Sequence, residues 1–357
     1  MRLDKVDAIA DAVLYEGFVL YPYRPSSKKN RVRWTFGGIH PRAYSEATGG
    51  AEPDSMQTQV LLIDGGDAHL EIRVRFLHLV QRTVGRLLQP LREMPEGALP
   101  SFDAVDSLRV GDTAYHTWQE AVERTVETGA DIAELLASPR MVPIKFAGSR
   151  TLEPARGSSG RIEAVLVRQQ EDISASVEIS ALRLQGSAIR LTVRILNDTP
   201  MPDADGADRD RAMMLSMAST HTVLGVRGGD FVSLADPPEP WREVVSTFDN
   251  QGTWPAMVGS DGDTDMMLSS RIILEDYPRV AEESPGDLFD GAEIDEILTL
   301  RILTLTDDER EEAMSVDPSV RAMLERTAAL TPDQMRKMHG AVRGMKPVGG
   351  GGPEGGD

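Results

Sequence analysis

Residues 160–199 read GRIEAVLVRQQEDISASVEISALRLQGSAIRLTVRILNDT, and they decide the predicted fold. Apolar and polar residues alternate along three segments, and turn-forming residues separate these segments. Alternation with a period of two is typical of strands that bury one face. Three such strands in succession favour an antiparallel sheet of a sandwich or a barrel.

A second alternating stretch, residues 57–84, reads QTQVLLIDGGDAHLEIRVRFLHLVQRTV. Its Asp-Gly-Gly-Asp sequence at 64–67 predicts a β-hairpin, because glycine tolerates the positive φ that tight hairpin turns require. After this turn the stretch has a charged face with Glu71, Arg73 and Arg75. The opposite face is apolar and consists of Leu70, Ile72, Val74 and Phe76. We therefore expect a half-buried strand whose charged face points outward.

Both ends of the chain have helical patterns. Residues 3–13 carry apolar side chains at helical spacing, which predicts a short helix. Residues 14–21 and 31–36 then read as two strands joined by a basic loop. Near the C-terminus, Thr306 and Glu309 have the spacing of a capping box. Prolines at 318 and 332 predict the starts of two further helices, since proline favours the first helical position.

These patterns predict an α+β protein that is predominantly β, with antiparallel sandwich- or barrel-like sheets and a C-terminal helical segment. We expect an N-terminal β-rich lobe at 1–150 and a second β-rich lobe at 151–305. Helices follow at 306–345. The glycine-rich tail at 346–357 lacks the side chains to build a core and is expected to be disordered.

Composition excludes several classes of function. The 357-residue chain has no cysteine, so it has no disulfides, thiolate metal sites, iron–sulfur ligands or thiol nucleophiles of its own. No apolar run is long enough for a membrane span, and acidic residues interrupt the N-terminal apolar pattern, unlike in a signal peptide. We expect a cytoplasmic protein. The formal net charge of -19 argues against general nucleic-acid binding.

Charge is unevenly distributed along the chain. Residues 261–312 hold 17 acidic and 4 basic residues, whereas residues 21–42 hold 6 basic residues and no acidic one. The two segments are consistent with one acidic and one basic face, or with ordinary solvated loops.

No motif identifies a catalytic, metal or cofactor site. None of the six histidines has the spacing of a ligand pair. Residues 261–265 begin like a calcium loop, but Met266 and Ile272 occupy positions that require glycine and glutamate. The nucleotide-binding and serine-hydrolase motifs are absent. We therefore expect no cofactor. The sequence leaves open a metal site that the fold assembles from histidines and carboxylates of distant segments.

Aromatic side chains next to charged ones predict protein-binding surfaces, because aromatic and arginine side chains make good interface anchors. Alternatively, the aromatic residues of 21–34 lie in the core, and the acidic loop at 275–290 docks against its own domain. The candidate interface residues are Tyr21, Tyr23, Arg24, Arg31, Arg33, Trp34, Trp254, Asp276, Tyr277, Asp287 and Phe289.

Several long blocks of sequence are similar to a known family. They are LYEGFVLYPYRPSSKKNRVRWTFGG, GDTAYHTWQEAVER, DFVSLADPP, NQGTWPAMVG and ILEDYPRVAEESPGDLFDGAEIDEILTLRILTLTDDER. They resemble a family without an assigned activity, encoded beside actinobacterial-type, high-affinity nickel–iron hydrogenase genes. The resemblance covers about residues 12–326. It implies a cytoplasmic accessory protein that binds hydrogenase subunits or maturation proteins, and it implies no catalytic residues.

Three interpretations remain open at the level of sequence. The first is a non-catalytic assembly, maturation or scaffold protein of a hydrogenase. The second is an enzyme of unknown reaction, such as a metal-dependent hydrolase or maturation factor, with His116 or His221 near Asp276 or Asp287. The third is a structural module within a multi-subunit complex.

Overall fold

A computed structural model describes residues 3–18, 20, 22–25, 27, 30, 37–95, 97–278, 295–315 and 318–331 of the 357-residue chain. The strands are β1 (Ser55–Leu91), β2 (Phe102–Val105), β3 (Ser107–Val110), β4 (Thr113–His116), β5 (Trp118–Asp131), β6 (Arg140–Phe146), β7 (Ser149–Arg156), β8 (Ile162–Gln170), β9 (Ile173–Arg183), β10 (Ala188–Asn197), β11 (Ala218–Val232), β12 (Trp254–Met257) and β13 (Met266–Ser270). The helices are α1 (Leu3–Tyr15), α2 (Arg42–Ala47), α3 (Ile132–Ala137), α4 (Arg209–Met213), α5 (Arg242–Val245), α6 (Asp295–Leu303), α7 (Asp307–Met314) and α8 (Pro318–Ala328), with a short 3₁₀ helix at Glu239–Trp241. Within these described ranges, no helix combines the length and the apolar character that a bilayer span needs.

The long strand β1 organises the fold. Its first part pairs with β10, its middle part with β5 and β11, and its last part with β8 and β2. All of these pairings are antiparallel, and they join 11 strands of the described chain into one sheet. Strands β3 and β4 form a separate pair. The predicted fold class, α+β and predominantly β, is confirmed.

The three strands predicted within 160–199 are confirmed as β8, β9 and β10. They join the same sheet as β1 and β5, so this sheet combines strands from both predicted lobes. The lobe boundaries themselves stay a prediction.

The hairpin predicted at 64–67 is wrong. Strand β1 continues through these residues and pairs with β11 on both sides of them: Leu61 pairs with Val232, and His69 pairs with Arg227. Nine residues of β1, Leu61 to His69, therefore lie opposite six residues of β11, Arg227 to Val232, so the register shifts through a β-bulge. Gly65 permits a close backbone approach, since a Cβ at this position would lie 2.4 Å from the carbonyl oxygen of Gly228, and Gly66 adopts a positive φ of 112°.

This approach makes Gly65→Ala a test of the bulge. The added methyl group would meet backbone and not a flexible side chain, so the strands must shift apart. We expect a loss of about 1–3 kcal/mol in the free energy of unfolding, the usual cost of overpacking. Urea denaturation measures this loss. An unchanged unfolding midpoint would contradict the bulge, because a glycine in an open hairpin turn has room for a methyl group.

The middle of β1 separates two packed layers. Its apolar face is buried as predicted, and it shares one core with residues of β9, β10 and β11. Its charged face lies under α1, where Arg73 binds Asp7 at 3.0 Å and Arg75 binds Asp11 at 2.6 Å. The predicted outer face is therefore covered by a helix that neutralises its arginines.

Helix α1 also corrects the predicted strand at 14–21. The helix extends to Tyr15, because Val6, Ala10, Val13 and Leu14 bury their side chains at helical spacing. A turn follows at 16–18. Tyr21 and the second predicted strand, 31–36, lie outside the described residues.

The C-terminal helices were predicted from local signals. The capping box is confirmed at α7, where Thr306 accepts from the Glu309 N–H and Glu309 accepts from the Thr306 N–H. Helix α8 begins at Pro318 as expected. Leu298, Ile302 and Met323 bury their side chains in one cluster with Leu77 and Leu79 of β1. The predicted third helix after 331 and the tail lie outside the described residues.

Candidate functional site

An open cleft of about 670 Å³ lies beside the junction of β4 and β5. Residues from separate parts of the chain form its walls, including the loop before β3, helix α4 and helix α7. The lining residues are Pro25, Asn30, Gln81, Asp106, Ser107, His116, Thr117, Trp118, Gln119, Asp210 and Glu312. We refer to it as the cleft.

Thr117 holds the β4–β5 junction in place. Its N–H donates to the Asp106 carbonyl at 2.8 Å, and its hydroxyl donates to the Val105 carbonyl at 2.7 Å. The same hydroxyl oxygen accepts from the Val84 N–H at 3.0 Å. These bonds fix the backbone on both sides of Thr117 and thereby position His116 and Trp118 at the cleft.

His116 presents a neutral imidazole at this site. Its Nε2 atom is buried and has no hydrogen-bond partner. Burial lowers the pKa of His116, while Glu312 raises it and Arg82 lowers it by smaller amounts. The ring is therefore predominantly uncharged at neutral pH, and a neutral ring nitrogen can accept or donate a hydrogen bond.

Carboxylates give the cleft its negative charge. Asp106 and Asp210 are exposed, and neither side chain has an ion-pair partner among the described residues. Glu312 of α7 lines the same space. No described lysine or arginine lines the cleft. The described part of the cleft lining is therefore acidic.

The buried side chain of Arg82 connects segments that line the cleft. Its Nε donates to the His116 carbonyl at 3.0 Å, and its Nη1 binds Glu120 at 2.8 Å. Its Nη2 donates to the Ser315 carbonyl at the end of α7, also at 3.0 Å. One guanidinium group thus joins β1, the β4–β5 junction and a C-terminal helix, as its fixed fork of donors permits.

The predicted interface residues of the basic segment have different surroundings. Tyr23 is fully buried beside Trp118 and Leu14, which agrees with the alternative that this aromatic residue lies in the core. Arg24 binds Glu309 of α7 at 2.9 Å. Tyr21, Arg31, Arg33 and Trp34 lie outside the described residues. Their part in an interface stays a prediction.

Of the remaining predicted interface residues, Trp254 is 46% exposed on β12, a terminal strand of the sheet. Asp276 and Tyr277 stabilise the loop after β13. Asp276 accepts from the Met257 N–H at 2.8 Å and from the Ser233 hydroxyl at 2.5 Å. The Tyr277 hydroxyl donates to the Asp263 carbonyl at 3.0 Å. Asp287 and Phe289 lie outside the described residues.

The structure does not bring His116 or His221 to Asp276. His116 lines the cleft, whereas Asp276 bonds to Ser233 and Met257. His221 is fully buried, with its Nδ1 at 3.2 Å from the Ser219 carbonyl oxygen. In the part of the chain that the structure describes, no three histidine, aspartate or glutamate side chains are grouped to hold a metal ion.

Three polar side chains that the sequence patterns do not connect form a hydrogen-bonded series. The Ser216 hydroxyl lies 2.9 Å from His40 Nδ1, and His40 Nε2 lies 3.1 Å from a Glu52 oxygen. This order resembles a nucleophile, a base and an orienting carboxylate, but Ser216 is fully buried and out of reach of a substrate. These three side chains instead connect the backbone around Ile39 to the segment after α4.

Sequence comparisons add no relative. No family model matches this chain, and no curated protein matches it at a significant level.

Proposed function

We propose that this chain is a non-catalytic accessory protein of a nickel–iron hydrogenase, acting in the cytoplasm through protein–protein binding during assembly, maturation or scaffolding. The sequence blocks that resemble the hydrogenase-associated family supply the context. The observation that carries the binding role is the cleft, whose exposed Asp106 and Asp210 have no internal ion-pair partner among the described residues.

Charge determines the kind of partner surface that this cleft favours. Two carboxylates without an ion-pair partner among the described residues line the cleft, and a lysine or arginine of a partner could form an ion pair with either of them. Complementary charge of this kind increases the rate and specificity of association more than the affinity. The hydroxyl, amide and imidazole groups of the lining supply hydrogen bonds for the backbone of a bound segment.

The alternative function is an enzyme of unknown reaction. One observation favours it: His116 lines the cleft and has a buried Nε2 without a hydrogen-bond partner, a ring nitrogen that could act as a general base if a substrate reached it. The nearby Thr117 hydroxyl is already bonded to Val105 and Val84 and is therefore poorly placed as a nucleophile.

The proposal is tested by affinity capture of the tagged full-length protein from its native host, followed by mass spectrometry. We expect hydrogenase subunits or maturation proteins in the eluate. The charge reversal Asp106→Arg with Asp210→Arg should reduce their recovery by about tenfold, because it replaces attraction with repulsion at an interface. The matched control is Asp236→Arg with Glu243→Arg, which makes the same change in net charge at exposed residues outside the cleft.

The outcomes separate the parts of the proposal. If the unmodified protein captures no hydrogenase subunit or maturation protein, the accessory role is overturned. Equal recovery with both double variants would retain the role but exclude the cleft as its binding site. A His116→Ala effect on a measured reaction of the isolated protein would favour the enzyme.

A further inference from the structure

Strands β6 and β7 follow each other along the edge of the sheet, separated only by Ala147 and Gly148. Phe146 pairs with Ile173 of β9, and Ser149 pairs with Gln170 of β8, so the same register continues across the junction. Strand β6 pairs with β9 alone and β7 with β8 alone within the described chain. Residues 140–156 thus present one unpaired side, and we call them the basic edge strand.

The charge of this strand is opposite to that of the whole protein. It carries Arg140, Lys145, Arg150 and Arg156 against one acid, Glu153, in a chain of net charge -19. Arg140 and Arg156 donate to the backbone carbonyls of Gly129 and Arg92. Lys145 and Arg150 are exposed and make no ion pair or side-chain hydrogen bond among the described residues. Two cations of this strand are therefore available to a partner.

Backbone groups are available on β6 as well. The Ser174 carbonyl of β9 accepts from the Asp198 N–H, and the Ser174 N–H donates to the Thr199 hydroxyl, so Ser174 bonds away from β6. Neighbouring residues of an antiparallel strand bond in alternate directions. The paired residues Ser174 and Lys145 are thus a non-hydrogen-bonded pair, and Met141, Pro143 and Lys145 direct their backbone groups outward.

Charge opposes pairing of this strand with a second copy of itself, because two copies would bring like charges together. Pro143 offers no outward N–H to any added strand, so the outward donors of this part of β6 are the N–H groups of Met141 and Lys145. An acidic partner strand avoids the charge repulsion and finds apolar contacts, since Met141 is 64% exposed and Leu152 is 37% exposed.

From this geometry we propose that the basic edge strand binds an extended, acidic segment of a partner protein, which adds to the sheet as a further antiparallel or parallel strand. Backbone bonds to Met141 and Lys145 supply the pairing, as in other cases of strand addition. Lys145 and Arg150 select acidic side chains, and Met141 and Leu152 contact apolar ones. None of these residues lines the acidic cleft, so this second surface is independent of the cleft.

The test uses the intact protein and a fluorescein-labelled peptide that repeats Val-Val-Glu-Glu, which presents glutamate on both faces of an extended strand. A Val-Val-Lys-Lys peptide is the charge control. Fluorescence anisotropy should show saturable binding of the acidic peptide only. Lys145→Glu with Arg150→Glu should weaken binding at least tenfold, because each attraction becomes a repulsion. Arg86→Glu with Arg242→Glu, at exposed arginines away from the strand, should change it less than twofold.

A second pair of variants separates strand addition from simple charge attraction. Lys145→Gln removes only the charge. Lys145→Pro also removes the Lys145 N–H, which points outward and makes no hydrogen bond to β9, so the existing sheet loses no bond. We expect the proline variant to bind about 2- to 10-fold more weakly than the glutamine variant, the effect of one backbone hydrogen bond. Hydrogen exchange on the unmodified protein should show that the peptide protects the Met141 and Lys145 amides, which keeps the test valid if the proline variant misfolds.

Three results would overturn the proposal. The first is no binding of the acidic peptide. The second is binding without protection of the two amides, which would indicate charge attraction alone. The third is self-association of the protein that Lys145→Pro abolishes, which would show that a second copy of this chain occupies the strand.

Discussion

Acidification from pH 7 to pH 4.5 is expected to unfold this protein, because three fully buried histidines stay neutral in the folded state. His40, His78 and His221 have at most 1% of their surface exposed. Burial is the largest cause in each case, and it lowers the pKa of His40 and His78 to about 4 and that of His221 to about 3. Nearby arginines act in the same direction: Arg209 and Arg271 on His40, Arg124 on His78, and Arg75 on His221.

The sign of the effect follows from proton binding. In the unfolded chain a histidine takes up a proton as the pH falls through about 6.5, whereas these three side chains stay unprotonated when folded. The unfolded state therefore binds more protons between about pH 6.5 and pH 4, and stability falls throughout this window. Each histidine contributes up to about 1.4 kcal/mol per pH unit, so the three together contribute up to about 4 kcal/mol per unit near pH 5.

Urea denaturation at a series of pH values measures this slope. His78→Gln should lower the slope by up to about 1.4 kcal/mol per pH unit, whatever the variant costs at pH 7. The slope is the informative quantity, because a lost hydrogen bond changes stability equally at every pH. A free energy of unfolding that stays constant from pH 7 to pH 5 would show that these histidines are not buried and neutral.

Replacement of Arg82 by alanine is expected to cause the largest loss of stability of any single substitution proposed for this chain. Its side chain is only 9% exposed and joins three segments through His116, Glu120 and Ser315. Its removal leaves two backbone carbonyls without their donor and the Glu120 carboxylate with Arg168 as its remaining partner. Breaking a buried ion pair in this way costs about 3–5 kcal/mol.

The matched control is Arg86→Ala, four residues further along the same strand. The Arg86 side chain is 57% exposed and binds Asp103 at 3.5 Å. Exposed ion pairs contribute about 0–1 kcal/mol, so this variant should remain close to the unmodified protein. Urea denaturation compares the two. Hydrogen exchange should also become faster in α7 with Arg82→Ala but not with Arg86→Ala, since the Arg82 side chain donates to the Ser315 carbonyl. Equal stability of both variants would contradict the proposed role of Arg82.

Local patterns in the sequence predicted much of the fold. Periodic alternation identified β8, β9 and β10, and helical spacing identified α1, because burial of one face imposes a period on any amphipathic element. The predicted hairpin at 64–67 failed for a specific reason. Paired glycines permit a tight turn, but they equally permit the close approach of Gly65 to the Gly228 backbone that a bulge requires.

The cleft was less accessible to prediction. Asp210 lies in a stretch of sequence without a functional motif, and Arg82 lies in an alternating strand pattern like any other charged residue. No local signal connects either of them with His116. Likewise, the sequence around Tyr23 is compatible with an interface residue and with a core residue. The structure places this side chain in the core.

The sequence by itself determined the class of the elements, the antiparallel β-rich architecture, the capped C-terminal helices and the acidic net charge, because each depends on neighbouring residues or on composition alone. Only the tertiary structure decided that β1 runs unbroken through the glycines, that residues 140–156 form the basic edge strand, and that Asp106, His116 and Asp210 line one cleft. These features depend on which distant segments pack together. The packing of distant segments depends on the burial and hydrogen bonding summed over the whole sheet. No short stretch of sequence carries this information.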